Sequence, residues 1–116
     1  MYEDGTGVVQ DYTEVVRWYR AAAEAGHMGA QFNLGCSYAN GEGVAQDFVE
    51  AVCWYRVAAE AGHTGAKYSL GVSYCMGKGV AQDVTEAVRW FQAAADQGYE
   101  KASLALASLH AAGVGS

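Results

Sequence analysis

The chain has 116 residues, with thirteen carboxylates against seven Lys and Arg and a formal charge of -6. The basic residues stand singly, so no cationic stripe exists to neutralise phosphates or anionic headgroups, and nucleic acid and membrane surfaces are excluded as expected partners. Apolar runs are short and helical in period, far from the ~20 residues that span a bilayer, and no charged-then-apolar leader opens the sequence; the expectation is a soluble chain whose compartment, cytoplasmic, periplasmic or secreted, stays open.

The sequence repeats itself. Trp18, Trp54 and Trp90 recur every 36 residues, and 23 of the 36 residues in 11–46 are identical in 47–82. All fifteen glycines fall into five phases of that period, which chance does not produce. A period between about 20 and 50 residues marks a solenoid, in which each unit buries its apolar face only against its neighbours. The predicted fold is all-α, an α/α solenoid of antiparallel helix pairs with a 36-residue repeat and a right-handed superhelix. One domain over 1–116 is expected, with a partial first unit 1–28, full units 29–64 and 65–100, and a partial last unit 101–116.

In chain order, helices are predicted over 11–25, 29–39, 47–61, 65–76, 83–97 and 101–112. Segment 47–61 is typical of the odd members: Val49, Val52, Cys53, Tyr55, Ala58 and Ala59 recur at spacings of three and four, the period of one helical face. Asp47 with Glu50 forms a capping-box-like start, repeated in phase by Asp11/Glu14 and Asp83/Glu86, the aspartate accepting from orphan amides. Gly26, Gly62 and Gly98 supply the stops. The even members carry a stripe such as Ala66, Leu70, Gly71 and Tyr74. A glycine inside a helix costs about 1 kcal/mol against alanine, so its recurrence at Gly35 and Gly71 predicts a close backbone approach. The connections Gly-x-Gly-Val follow, with Gly77 as C-cap and Val80 dipping into the core.

The pattern Ala-x3-Leu-Gly-x2-Tyr at Ala30, Leu34, Gly35 and Tyr38, and again at Ala66, Leu70, Gly71 and Tyr74, resembles the Sel1-like repeat family, an offshoot of the tetratricopeptide type. The pairs Trp18-Tyr19, Trp54-Tyr55 and Trp90-Phe91 and the double alanines Ala22-Ala23, Ala58-Ala59 and Ala94-Ala95 match as well. Departures cluster in the last copy, where Gly35 becomes Ala107 and Tyr38 becomes His110.

The residues that invite a chemical reading have structural alternatives. His27 and His63 lie one repeat apart, roughly 10 Å or more, too far to share an ion at bonds of about 2 Å; helix-end capping is expected, and no metal site. His110 is read as a partly buried structural histidine and the three tryptophans as core. Glu24, Glu60 and Asp96 form an in-phase series along an edge rather than a catalytic pair, and the GEGV and GKGV loops lack the lysine-serine pair of a phosphate cradle. No catalytic residue and no cofactor are expected. Cys36, Cys53 and Cys75 occupy three different phases, which is no disulfide framework; they are read as small hydrophobes in packed helices.

The resemblance implies a noncatalytic protein-protein interaction scaffold or adaptor, with a protein or peptide partner bound as a peptide or helix in its concave groove. Carried over by motif, the groove positions are Phe32, Cys36 and Asn40, then Tyr68, Val72 and Met76, then Leu104 and Ser108. The alternative it implies is a secreted β-lactam-binding or hydrolysing enzyme of the cysteine-rich branch, whose repeats pair their cysteines as this chain does not. Finally, Met1 aligns with Ser37 and Ser73, inside a helix whose beginning is missing. A face with Val15, Val16, Trp18 and Ala22 at one end, and Leu106 and Leu109 at the other, are expected to lack cover; the expectation is a homo-oligomer joined through these terminal helices, head to tail or by a two-fold pairing of like ends, the alternative being a fragment of a longer array whose other repeats cap it.

Overall fold

The computed structural model describes residues 12–113. Six helices follow one another: α1 (Tyr12–Glu24), α2 (Met28–Asn40), α3 (Phe48–Glu60), α4 (Thr64–Met76), α5 (Val84–Asp96) and α6 (Glu100–Ala111). Three-residue turns join α1 to α2, α3 to α4 and α5 to α6, and connections that short lay the partners antiparallel. The molecule is a helical solenoid elongated to 54 × 28 × 27 Å.

Local chemistry sets the boundaries. Asp47 and Asp83 accept hydrogen bonds from the Glu50 and Glu86 amides at 3.1 Å and so start α3 and α5; the in-phase Asp11 lies outside the described residues. Gly41 and Gly77 close α2 and α4 in the left-handed region. The Asp47 and Asp83 amides then bond the Tyr38 and Tyr74 carbonyls at 2.9 Å, which ties the end of one pair to the start of the next.

The core runs along the axis in three clusters, around Leu34, around Tyr55 and Leu70, and around Phe91 and Leu106. Gly35 and Gly71 explain how successive pairs lock. A Cβ on Gly71 would come within 2.7 Å of the Phe91 ring, and one on Gly35 within 2.8 Å of the Tyr55 ring. What presses on each glycine is therefore an aromatic ring from the following pair more than a second backbone.

Several sequence expectations are corrected here. In α3 the buried face is Ala51, Val52, Tyr55, Ala58 and Ala59, while Val49 is 61% exposed and Cys53 is exposed. Their in-phase counterparts are Thr13 and Thr85, and Arg17 and Arg89, so these positions face water in every copy. Trp18 is 70% exposed, and Trp54 and Trp90 are only half-buried. Trp54 packs on the cluster of Leu34, and Trp90 on that of Leu70. Each thus lies back on the preceding pair, which Trp18 does not have among the described residues. Val16, expected to lack cover, is 4% exposed in the cluster of Leu34, and Leu106 is covered, at 8% exposure, by the α5 side of its own cluster. His110 is exposed in the last turn of α6, where its partner in the earlier copies is missing.

That partner is an arginine. Arg20 and Arg56 donate to the Tyr38 and Tyr74 hydroxyls at 2.5 and 2.6 Å. In the third copy both members change together, to Gln92 and His110.

Candidate functional site

The even helices α2, α4 and α6 carry the surface relief. Between α2 and α4 lies a notch of about 450 Å³, floored by Phe48 and Tyr55 of α3 and walled by Asn40, Tyr68, Val72 and Met76, with Lys78 at its rim. Between α4 and α6 lies a second, of about 230 Å³, with Phe91 as floor and Tyr68, Val72, Met76, Ser108 and Leu109 as walls. Helix α4 is the ridge between them, since Tyr68, Val72 and Met76 line both. A third notch of about 200 Å³, between α1 and α2, includes Tyr19, Cys36 and Glu42.

Six of the eight groove residues expected from the sequence therefore line a notch: Asn40, Tyr68, Val72 and Met76 the first, Ser108 the second, Cys36 the third. Phe32 and Leu104 line none. Phe32 stacks on the His63 ring at 4.7 Å and lies 5.9 Å from Tyr55; Leu104 is 61% exposed on α6. Phe48 and Lys78 were not anticipated. The signal for Lys78 was the loop itself, because the residue between the two glycines is Glu42 in one copy and Lys78 in the next.

The chemistry of these walls is that of contact. Burial pushes the Tyr55 hydroxyl well above its ordinary range and raises the Cys36 thiol too, so both stay protonated, and the hydroxyl donates to Cys36 Sγ at 3.7 Å. A thiol held protonated is a poor nucleophile. Cys36, Cys53 and Cys75 are all free. Among the described residues no three His, Cys, Asp or Glu side chains converge as metal ligands, and no helix is long and apolar enough to cross a membrane.

The two histidines expected to cap helices divide. His63 accepts the Ala66 amide on Nδ1 at 3.0 Å, whereas His27 makes no such bond. The third copy carries Tyr99, which makes no cap bond but places its ring 5.4 Å from Tyr68. What His63 and Tyr99 share is the aromatic contact with Phe32 or Tyr68.

Comparison with known proteins agrees with this architecture. Among solved structures, the chain is 41% identical to a protective antigen present in uropathogenic Escherichia coli strains that displays an SLR fold, over 96% of this chain and 24% of that one, with a TM-score of 0.90. It is 39% identical to a Sel1 repeat protein from Oxalobacter formigenes, over 96% of this chain and 46% of that one, with a TM-score of 0.86. Cysteine rich protein B of Helicobacter pylori is 26% identical over 84% of this chain and 74% of its own length, with a TM-score of 0.77. The chain thus spans about a quarter of the first of these proteins and under half of the second. No curated protein matches the sequence. The Sel1 repeat matches residues 1–27, 29–63 and 64–99, and the chain belongs to the Sel1-repeat family.

Proposed function

We propose that this array is a noncatalytic protein-interaction scaffold that binds a peptide or helix along the α2, α4 and α6 face. Sel1-repeat proteins generally act as interaction scaffolds. The observation that carries the reading is the pair of notches on either side of the α4 ridge, which share Tyr68, Val72 and Met76. Met76 is 57% exposed there, and a thioether beside aromatic walls offers adaptable contact area to a side chain laid across the ridge. The paired cysteines of the enzymatic alternative are absent, since all three thiols are free.

The test is selection from a displayed library of random peptides, with Met76→Lys as the control. Wild-type protein is expected to enrich peptides that the variant does not retain, while both melt at the same temperature. Equal retention by the two proteins, or no enrichment by the wild type, would remove the groove as the binding site.

A further inference from the structure

The three notches are copies of one another at the repeat period, yet their charge differs. Tyr19, Tyr55 and Phe91 occupy one phase and supply an aromatic wall to each. Another phase is the middle residue of the Gly-x-Gly loop. It places Glu42 on the notch between α1 and α2 and Lys78 on the notch between α2 and α4. The notch between α4 and α6 is lined by Tyr68, Val72, Cys75, Met76, Phe91, Ala105, Ser108 and Leu109, with no charged group.

The loop is held so that this residue is delivered to the same place each time. Gly79 has φ +80°, and a Cβ there would overlap the Phe48 carbonyl; Gly43 has φ +80° and bears in the same way on the Tyr12 carbonyl. Only glycine fits so close an approach at positive φ. Pinned by that contact, Lys78 sets its Nζ 5.2 Å from the centre of the Phe48 ring, at the edge of the notch. The ion pairs among the described residues, Arg17 with Glu14 and Arg89 with Glu86, engage neither Lys78 nor Glu42. In a chain of net charge -6, a notch with one lysine and no carboxylate in its lining is a local inversion of sign.

We infer that the groove, if it binds peptides as proposed above, reads a segment presenting in order a cationic, an acidic and a large apolar side chain, opposite Glu42, Lys78 and the α4–α6 notch. Charge complementarity fixes the first two and the uncharged lining fixes the third. Successive notches are one repeat apart, a step of about 10 Å or somewhat more, since α2 meets α4 chiefly through α3. A polyproline II segment advances about 3 Å per residue, so side chains three to four positions apart span the step.

The test uses the same random-peptide display with three proteins: wild type, Lys78→Glu and Glu42→Lys. Both substituted residues are exposed, and melting temperatures verify the fold. Wild-type protein is expected to enrich Lys or Arg, then Asp or Glu, then a large apolar residue at spacings of about three to four. Lys78→Glu should exchange the acidic preference for a basic one and leave the other two unchanged; Glu42→Lys should do the reverse at the first position. A synthetic peptide from the wild-type pool should lose roughly three- to tenfold in affinity for Lys78→Glu at low ionic strength, and less as salt screens the pair. Peptides that require Met76 but show no charge preference, or whose preference survives both reversals, overturn this inference and leave the groove reading intact. Failure to enrich any peptide overturns both.

Discussion

The pairs α3–α4 and α5–α6 share one plan and differ where another pair would touch. In α4, Gly71 lies under the Phe91 ring; in α6 its counterpart is Ala107, exposed, with no described ring upon it. In the inner pair Arg56 donates to Tyr74, and in the last described pair the two are replaced together by Gln92 and His110. The difference teaches that the repeat motif is a record of contacts. Gly71 and Tyr74 give way to Ala107 and His110 where the ring and the arginine that meet them do not return.

The largest expected effect follows from Phe91, which is 2% exposed and bridges α4 to α5 and α6. Phe91→Ala should lower stability by about 3–5 kcal/mol in urea denaturation. Trp54→Ala, at a half-buried ring, should fall below that range, and Trp18→Ala should stay within about 0.5 kcal/mol. Equal losses for the three would break the assignment of which rings lie between pairs.

Next comes the glycine. Helix propensity alone says that Gly71→Ala gains about 1 kcal/mol, but the new methyl would meet Phe91 at 2.7 Å, and overpacking of this kind costs about 1–3 kcal/mol. The expected outcome is net destabilisation by Gly71→Ala, and, at the exposed counterpart, a loss of about 1 kcal/mol on Ala107→Gly from propensity alone. Stabilisation by Gly71→Ala would show that the ring can yield.

A smaller effect tests the paired exchange. Tyr74→Phe removes the acceptor for Arg56 and should cost about 0.5–1.5 kcal/mol. Installing Gln92→Arg and His110→Tyr together should give a favourable coupling in a double-mutant cycle that neither change gives singly.

The smallest effect depends on pH. Burial lowers the His63 pKa below 6.5, and Nδ1 must be unprotonated to accept the Ala66 amide. The folded chain therefore binds this proton less readily than the unfolded chain. The stabilisation is whole above pH 6.5 and is lost as pH falls through the lower folded value. Acidification from neutral pH to about 5 should therefore weaken this cap and lower the melting temperature slightly, and His63→Asn should flatten that part of the profile in thermal melts.

Much of this was legible in the sequence because the repeat reports each position three times. The helix starts at Asp47 and Asp83, the caps at Gly41 and Gly77 and the stripe of Leu34 and Leu70 follow from local rules. Burial of the tryptophans was misjudged because hydrophobicity does not say on which side the neighbour lies; Trp54 depends on the preceding pair. Val49 and Cys53 were placed inside by their own polarity, although Thr13, Thr85, Arg17 and Arg89 in the same phases already pointed outward. Tyr68, Val72 and Met76, expected by motif from the family resemblance, line the notches on either side of α4. Phe48 was not expected there, because it reaches the notch from a helix start, and Lys78 was marked only by its exchange with Glu42, because the seating of its loop depends on the Gly79 contact with Phe48.

The most direct test of the account is to map a display-selected peptide onto the protein by amide chemical-shift perturbation. The groove reading predicts that the shifts fall on α2, α4 and α6 around Asn40, Val72, Met76 and Ser108, with the Lys78 loop among them. Shifts concentrated instead around the exposed Trp18, Val49 and Val57 of the odd helices would contradict it.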